Sequence, residues 1–243
     1  MTPSMTPSTP PWPRLQRVDW PALEQHLDEN GHAVIAGLLD TSECAGLTAL
    51  YTESDRFRSR VVMARHGFGR GEYQYFAYPL PTLVDTLRRN LYPRLVPIAN
   101  RWQARLGKER RFPAEHSAYL AQCHDHGQCR PTPLLLRYRP GDYNCLHQDL
   151  YGDNWFPLQV AVLLSAPGKQ FEGGEFVLTE QRPRRQSRAM VPPLRQGDAL
   201  VFAVNQRPVA GQRGDYRVTL RHGVSELRRG ERYTLGLIFH DAA

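Results

Sequence analysis

The chain has 243 residues with 41% apolar, 23% charged and 10% aromatic side chains, a composition typical of globular proteins. This composition excludes fibrous and wholly disordered chains, and no apolar run reaches the roughly 18 residues that a membrane span needs. The formal net charge is +7, and lysine occurs only at Lys108 and Lys169 among 31 basic residues.

The N-terminal residues 1–13 contain five prolines and a duplicated MTPS, which predicts a low-complexity tail. They lack a basic head followed by an apolar stretch, so we expect no secretory signal. Four cysteines are too few for a disulfide scaffold, so we expect free thiols and a cytoplasmic location. Residues 14–243 contain no linker-like stretch, which predicts a single domain.

The first part of this domain, residues 14–130, is predicted to be helical with a few strands. Residues 19–30 are typical of a helix, with Asp19 as its cap and Gly31 just past its end. The apolar run 32–39 predicts a short strand. We also expect a second helix that begins near Thr41 and carries a capping box.

A longer helical pattern follows over residues 82–106, where apolar side chains recur at helical spacing. Proline lacks a backbone N–H and clashes with the preceding turn. We therefore expect Pro93 and Pro97 to split this run into shorter helices.

From Pro131 the pattern changes to short β-prone runs between turn signals, without long helices. These runs are LLLRY, LQVAVLLS, GGEFVLT, DALVFAV, YRVTLRH and RYTLGLIFH. Short strands at such intervals predict an antiparallel sandwich or barrel over residues 131–243. The predicted fold class is therefore mainly β with flanking helices.

A candidate metal site lies in this β-rich part. On an extended strand, residues i and i+2 point to the same face, so His147 and Asp149 are predicted to bind one ion. His222 is the candidate third ligand. Two imidazoles and one carboxylate form the facial triad of non-haem Fe(II) oxygenases. His26 and Asp28 have the same spacing, but in a predicted helix their side chains diverge, which excludes a shared ion.

Arg232 follows His222 by ten residues, with a turn expected at Arg229 and Gly230. We therefore predict that His222 and Arg232 lie on adjacent antiparallel strands. Arg232, Thr234 and Gly236 share one face of the second strand. The small neighbours leave space beside the guanidinium for a carboxylate ligand, although a surface hairpin arginine is the alternative.

Taken together, His147-x-Asp149, His222 and Arg232 resemble the signature of the 2-oxoglutarate/Fe(II)-dependent dioxygenases. The segments FEGGE at 171–175 and QGDALVF at 196–202 resemble loops of the prolyl-hydroxylase-like branch. The pattern YxPG followed by LHQD resembles the AlkB-like alkyl-DNA-repair branch. The whole chain also resembles a bacterial family of nucleic-acid oxygenases that act on damaged DNA. The segments that carry this resemblance are RPTPLLLRY, NCLHQDLYG, TEQRPRRQSR, LRHGVS and LGLIFHDA.

The resemblance implies a double-stranded β-helix, or jelly-roll, core in which His147, Asp149 and His222 bind Fe(II). It implies hydroxylation of a substrate C–H bond with O2 and 2-oxoglutarate, and release of succinate and CO2. Arg232 would pair with the distal carboxylate of 2-oxoglutarate, and Tyr138 would hydrogen-bond the cosubstrate.

Two positions depart from the alkyl-DNA-repair pattern. Leu136 stands where an asparagine is expected, and Ile238 stands where a second arginine is expected. The short interval between His222 and Arg232 fits the prolyl-hydroxylase-like branch better. Hydroxylation of a protein or peptide side chain therefore remains the alternative to oxidative demethylation of damaged nucleic acid.

Candidate substrate contacts are aromatic and basic. Residues 71–78 predict either a lid whose Tyr73 and Tyr75 stack on a flipped or single-stranded base, or a strand packed on the core. Arg184 and Arg185 belong to a basic run that predicts phosphate contacts or a solvated loop. The partners expected are 2-oxoglutarate and damaged or single-stranded nucleic acid, with no membrane.

Two further groups have metal-binding residue types. The segment 123–129 contains two cysteines and two histidines, but its spacing matches no zinc motif that we can defend. We interpret it as helix-end packing, and His240 with Asp241 as structural. A non-catalytic sensor that retains the jelly roll is the remaining alternative, and the intact triad with Arg232 argues against it.

Overall fold

The computed structural model describes residues 12–150, 152–212 and 214–243. Residues 1–11, which form most of the predicted tail, lie outside the described residues. Pro13, the last residue of that predicted tail, already begins a 3-10 helix that ends at Arg17. Within this first described segment, the backbone N–H of Trp12 donates to the Asn90 side chain at 3.0 Å.

Four α-helices flank the sheets within the described ranges. They are α1 (Trp20–Asn30), α2 (Thr41–Ala49), α3 (Thr82–Arg105) and α4 (His116–Asp125). The predicted caps are confirmed: Asp19 accepts from the N–H of Ala22, and Gly31 adopts the left-handed conformation at φ 75°. Asp40 and Glu43 form the capping box of α2. None of the described helices combines the length and apolar character needed to cross a membrane.

The longest helix, α3, runs without interruption through Pro93 and Pro97, so the predicted split is wrong. Its inner face buries large side chains completely or nearly so, among them Leu87, Leu91, Leu95, Ile98 and Trp102. Burial of each side chain contributes about 1.5–3 kcal/mol. The sum of these contributions outweighs the cost of the two prolines, which is about 3 kcal/mol for each. Pro93 is half-buried and Pro97 is exposed, so water can reach the carbonyl groups that lose their partners.

Fifteen strands are found in the described residues. They are β1 (His32–Ile35), β2 (Phe57–Val62), β3 (Gly69–Arg70), β4 (Glu72–Phe76), β5 (Leu134–Tyr138), β6 (Tyr143–His147), β7 (Leu158–Leu163), β8 (Phe171–Gly173), β9 (Phe176–Gln181), β10 (Arg188–Met190), β11 (Ala199–Ala203), β12 (Gln206–Gly211), β13 (Gly214–Val224), β14 (Leu227–Gly230) and β15 (Arg232–Leu237). Each β-prone run of the sequence corresponds to one of them.

Thirteen of these strands form two antiparallel sheets that face each other, and β8 and β14 form a separate two-stranded ladder. The larger sheet has the order β1-β11-β7-β15-β5-β4-β2, and the smaller has the order β10-β9-β13-β6-β3, with β12 also paired to β13. Phe176 of the smaller sheet contacts Phe202 of the larger, with ring centroids 5.1 Å apart. The prediction of a mainly β jelly-roll fold with flanking helices is confirmed.

Strands of the N-terminal part complete the larger sheet, although the sequence places the jelly roll in residues 131–243. Strand β1 pairs with β11, and β4 pairs with β5. The predicted division therefore does not correspond to two structural layers, because both parts of the chain supply strands to one sheet.

The predicted adjacency of His222 and Arg232 is wrong. His222 lies on β13 of the smaller sheet and Arg232 lies on β15 of the larger sheet. Between them, β14 pairs with β8 outside both sheets. Gly230, the last residue of β14, has φ 79°, and a Cβ atom there would overlap the carbonyl oxygen of Gln170. The chain thus crosses between sheets, and the two residues face one cavity from opposite sides.

Candidate active site

A cavity of about 350 Å³ lies between the two sheets. Both sheets contribute to its wall, and most of the lining is apolar or aromatic. The polar or charged side chains that line it include His147, Asp149, His222, Arg232 and Thr234. An apolar cavity with a few converging polar groups is the usual form of a small-molecule site.

The three predicted metal ligands converge at this cavity. His147 is the last residue of β6, and it lies directly opposite His222 in the ladder between β6 and β13. The Nε2 atom of His147 lies 3.4 Å from Oδ1 of Asp149, and the Nε2 atom of His222 lies 3.3 Å from Oδ2. The ligand atoms all lie within 4.8 Å of one another.

Asp149 differs from the sequence prediction in one respect. The strand that was expected to carry both residues ends at His147, so Asp149 lies in the loop that follows. Gln148 anchors this loop, because its amide donates to the carbonyl oxygen of Leu220 at 2.7 Å and to Asn205 at 2.8 Å. The i and i+2 spacing thus correctly predicted that His147 and Asp149 lie close together, although the strand ends before Asp149.

The two imidazoles are held so that their Nε2 atoms face Asp149. Nδ1 of His147 lies 2.7 Å from the carbonyl oxygen of Cys145 and donates to it when the ring is neutral. This contact fixes the tautomer that leaves the Nε2 lone pair available to a metal. His222 packs between Phe176 and Phe202, with ring centroids at 5.8 Å and 4.7 Å.

The pKa values of the triad follow from burial and mutual contact. Burial alone would raise the pKa of Asp149, but hydrogen bonds and charge from both imidazoles hold it well below its usual value. Burial lowers the pKa of His222, which favours its neutral form. Burial also opposes protonation of His147, but the hydrogen bond and charge of Asp149, together with backbone hydrogen bonds, outweigh that effect and raise its pKa. An ionised carboxylate is the form that ligates a metal.

Arg232 lies in the same cavity and is only 2% exposed. Its Nη1 donates to the Thr234 hydroxyl at 2.7 Å, and its Nε has no hydrogen-bond partner. Among the described residues no carboxylate lies within ion-pair distance of it. Burial lowers the pKa of Arg232 to about 10, and it remains charged at neutral pH. A buried guanidinium without an anion is unfavourable on its own, which indicates that an anionic ligand completes this site.

Three more polar atoms of cavity-lining residues are buried without a hydrogen-bond partner in the described part of the chain. They are the Tyr138 hydroxyl, Nε2 of Gln159 and Nδ1 of His222. Buried polar groups are nearly always hydrogen-bonded, so unsatisfied ones clustered at one cavity are typical of a ligand site. The donor set of two imidazoles, one carboxylate, a guanidinium and a phenol fits Fe(II) together with a dicarboxylate.

The predicted faces of β15 are confirmed. Arg232, Thr234 and Gly236 line the cavity, and so does Ile238 beyond the strand end. Leu136 on the paired strand β5 also lines it. The two positions that depart from the alkyl-DNA-repair pattern, Leu136 and Ile238, are therefore both apolar wall positions of the cavity itself.

Tyr73 and Tyr75 also line the cavity, but their segment is strand β4 and not a lid. The alternation along β4 buries Glu72, Gln74 and Phe76 on one face and turns the two tyrosines to the other. Their rings make an edge contact with centroids 5.4 Å apart. The interpretation of this segment as a strand is confirmed, and this strand supplies aromatic side chains to the cavity.

The structure does not bring Arg184 and Arg185 to the cavity. Both are exposed in the turn between β9 and β10. Leu178 of β9 pairs with His222, and the hairpin runs away from that point toward its tip. The side-chain amide of Gln181 donates to the carbonyl oxygen of Arg185, which closes the turn on itself.

The other candidate metal groups have structural contacts. Asp241 forms a buried ion pair with Arg88 at 2.7 Å and accepts from the Tyr78 hydroxyl at 2.9 Å. His124 of the segment 123–129 also contacts Asp241, at 2.9 Å. In the part of the chain that the structure describes, the triad is the only group of three or more potential ligands close enough to share an ion.

His26 and Asp28 on α1 point in different directions, as expected from helical geometry. His26 is exposed, whereas Asp28 faces inward and accepts hydrogen bonds from Trp102 and Arg101. The two side chains of this His-x-Asp therefore share no site.

Close contacts explain the glycines in the two segments that resemble loops of the prolyl-hydroxylase-like branch, 171–175 and 196–202. At Gly174, φ is +61° and a Cβ atom would lie 2.7 Å from Leu227 Cδ1 and 3.0 Å from Arg232 Cδ. At Gly197, φ is +84° and a Cβ atom would overlap the carbonyl oxygen of Leu39. Gly174 thus lets the chain pass directly over the side chain of Arg232.

Sequence reasoning missed the aromatic wall around His222. Phe176 and Phe202 come from different sheets, and only the fold brings them together. Phe176 directly follows the FEGGE segment, and Phe202 is the last residue of QGDALVF. Their closeness to these two segments was the one feature of the sequence that could have indicated a place in the site.

Comparisons with known proteins were made by sequence and by fold. A family model described as "Oxygenase, catalysing oxidative methylation of damaged DNA" matches residues 71–242. Uncharacterised proteins of two Mycobacterium tuberculosis strains, CDC 1551 and H37Rv, are each 51% identical over 168 residues, which cover 69% of this chain and 72% of theirs.

Solved structures share the fold at low sequence identity. An oxidoreductase of the 2OG-Fe(II) oxygenase family from Burkholderia pseudomallei has a TM-score of 0.52 and 17% identity, covering 93% of this chain and 94% of that one. A prolyl 4-hydroxylase from Phytophthora capsici has a TM-score of 0.53 and 18% identity, and the match covers 96% of this chain and 66% of that one.

The predicted cofactor and cosubstrates, Fe(II), 2-oxoglutarate and O2, agree with this fold and with the His-Asp-His triad. The family model spans most of the chain and includes every residue of the triad and Arg232. The protein is therefore an oxidoreductase, and it belongs to the family of oxygenases described as catalysing oxidative methylation of damaged DNA.

Proposed function

We propose that this oxygenase removes methyl groups from damaged nucleic acid by oxidation, using Fe(II) and 2-oxoglutarate. His147, Asp149 and His222 would hold the iron, and Arg232 would hold the distal carboxylate of 2-oxoglutarate. The observation that carries the proposal is the position of a buried, unpaired guanidinium in the same cavity as three converging ligand atoms.

When bound, Fe(II) supplies the activation of dioxygen that couples conversion of 2-oxoglutarate into succinate and CO2 to hydroxylation of a substrate C–H bond. The protein supplies orientation and a dry environment. On an N-methyl group the hydroxylated product is a hemiaminal, which breaks its C–N bond to release formaldehyde and return the proton to nitrogen.

The residues of the chain have distinct parts in this scheme. The carbonyl oxygen of Cys145 orients the His147 ring, and Phe176 and Phe202 cover His222. Thr234 fixes the plane of the Arg232 guanidinium through a 2.7 Å hydrogen bond. The Tyr138 hydroxyl, which is buried without a hydrogen-bond partner in the described residues, would hydrogen-bond the cosubstrate.

Nucleic acid is the substrate class that three observations support. The family description names damaged DNA. Tyr73 and Tyr75 give the cavity two aromatic side chains beside which a planar base can stack. The formal net charge of +7 favours a polyanionic partner. A role in DNA repair follows from this proposal.

Hydroxylation of a protein or peptide side chain is the second candidate. Its support is the fold shared with the Phytophthora capsici prolyl 4-hydroxylase, together with Leu136 and Ile238, which make the cavity wall apolar. A peptide side chain would then occupy the space beside Tyr73 and Tyr75.

The test is a substrate screen scored by succinate above the uncoupled background. Single-stranded oligonucleotides carrying 1-methyladenine or 3-methylcytosine are compared with their unmethylated counterparts, and formaldehyde is measured. We expect release in proportion to succinate, with oligonucleotide binding that weakens steeply as salt rises. If no alkylated base yields formaldehyde while a peptide gains 16 Da, the protein-hydroxylase candidate replaces the first.

A further inference from the structure

Strand β2 contains an irregularity beside the cavity. Phe57 pairs with Phe76 and Ser59 pairs with Tyr75, so Arg58 is an extra residue without its own partner on β4. A β-bulge of this kind bends the strand and re-aims a side chain, and bulges are frequent next to active sites. Here it places the Arg58 guanidinium carbon over the Tyr75 ring, 4.5 Å from the centroid.

Arg58 is held in place but has no counter-charge. Its Nε donates to the carbonyl oxygen of Pro131 at 2.8 Å. The neighbouring Arg56 pairs with Glu53, and Arg60 pairs with Glu72. Within the described ranges of the chain, no ion pair is found for Arg58, which is half-buried. It is therefore the one arginine of the three whose charge is left for a ligand.

The surroundings of Arg58 add positive charge. Burial lowers the pKa of Arg58, the nearby Tyr75 opposes that shift, the charge of Arg130 lowers the pKa further, and the charge of Asp241 raises it. Because Asp241 already forms a buried ion pair with Arg88, the guanidiniums of Arg58 and Arg130 leave the surroundings of Arg58 positive. A planar guanidinium fork matches the geometry of a phosphate.

We propose that Arg58 binds a backbone phosphate of the nucleic-acid substrate whose base lies in the cavity beside Tyr73 and Tyr75. This inference rests on the proposed nucleic-acid function. Tyr75 lines the cavity, and its ring carries the Arg58 guanidinium 4.5 Å from its centroid. Tyr75 would therefore contact the base, and Arg58 would contact the backbone. Arg58 is a positioning residue, since it holds the nucleotide and does not contact the reacting atoms.

The experiment compares Arg58→Gln and Arg58→Lys with Arg56→Gln. The control removes the same charge from an exposed arginine that already pairs with Glu53. Each protein is assayed with an oligonucleotide carrying 1-methyladenine and with 1-methyl-2′-deoxyadenosine, which has no phosphate. Formaldehyde release gives kcat and KM, and thermal unfolding verifies the fold.

We expect Arg58→Gln to raise KM for the oligonucleotide by about tenfold, the loss typical of one charge-assisted hydrogen bond. The slope of log affinity against log salt should fall by about 0.7, the value for one phosphate on a single strand. Arg58→Lys should restore the salt slope, and Arg56→Gln should match the wild type. Turnover of the nucleoside should change less than twofold.

Equal KM and equal salt slope for Arg58→Gln and the wild type would overturn the phosphate contact while leaving the proposed function intact. An equal loss on oligonucleotide and nucleoside would also overturn it, because the effect would not depend on phosphate. Absence of wild-type turnover on every methylated nucleic acid would instead remove the proposed function, and the phosphate contact with it.

Discussion

Arg232 lies directly opposite Tyr138 in the ladder between β5 and β15, and its guanidinium carbon lies 5.5 Å from the centroid of the Tyr138 ring. The same guanidinium carbon lies 6.0 Å from the centroid of the Phe171 ring. The charge is thus surrounded by aromatic side chains and not by carboxylates. Such a position favours binding of an anionic ligand at a cost to the stability of the ligand-free protein.

Replacing Arg232 with methionine should separate these two effects. We expect succinate production to fall by about 100-fold, because the variant loses two charge-assisted hydrogen bonds to 2-oxoglutarate. The thermal midpoint should stay unchanged or rise, since an unpaired buried charge is removed. Arg228→Met, an exposed control, should alter neither quantity. Full turnover in the Arg232 variant would contradict the assignment.

The His222→Ala variant tests the metal site without relying on turnover. Mn²⁺ at about 100 times its dissociation constant should raise the thermal midpoint of the wild type by about 5–10 °C. The variant should lose this rise because it lacks one of the three ligands. His26→Ala changes an exposed histidine of a His-x-Asp pair that shares no site and should keep the full shift. An unchanged shift in His222→Ala would count against ligation.

Gly174→Ala should reduce 2-oxoglutarate affinity through Arg232. The new Cβ atom would lie 3.0 Å from Arg232 Cδ, so the arginine must move. Gly168→Ala is a matched control, because its φ is +74° and no atom lies within 4 Å of the added group. Both variants should lose about 1–3 kcal/mol of stability from backbone strain. Only Gly174→Ala should raise KM for 2-oxoglutarate, by about tenfold in succinate assays; equal KM values would refute the contact.

Asp241 should contribute to stability in a pH-dependent manner. Burial alone would raise its pKa, but Arg88, His124 and Tyr78 hold it below the usual value. Because the folded pKa is below the unfolded value of about 3.9, this stability is present above that pH and is lost as pH falls through the folded pKa.

Asp241→Asn should therefore destabilise the protein by about 3–5 kcal/mol at neutral pH, since it leaves Arg88 buried without its counter-charge. The free energy of unfolding of the variant should also depend less on pH below about 4. Urea unfolding at several pH values measures both. Glu172→Gln, which breaks an exposed pair with Arg229, should change little. A similar loss in both variants would contradict the role of burial.

Local signals in the sequence predicted the local parts of the fold. The caps at Asp19, Gly31 and Asp40 are formed by contacts between residues that are close in sequence. The helix ends that they determine therefore do not depend on tertiary structure. The alternation on β15 likewise predicted that Arg232 and Thr234 share the cavity face.

Features that depend on distant contacts could not be predicted in this way. The continuity of α3 through Pro97 depends on burial of its other face. The crossing of the chain between sheets places His222 opposite Arg232, and no spacing rule distinguishes this from a hairpin. The bulge at Arg58 is visible only in the pairing of β2 with β4.

Strand β6, which ends at His147, is only lightly paired. Its ladder contacts to β13 are at His147 and Asn144, and β3 adds Asn144 and Tyr143. His222 and Arg232, by contrast, lie on strands paired along both sides. The backbone at His147 is thus held by few ladder contacts, and the loop that carries Asp149 depends on the side-chain anchor of Gln148 to Leu220 and Asn205. One half of the ligand set therefore relies on a side-chain anchor, whereas the other half relies on a backbone ladder.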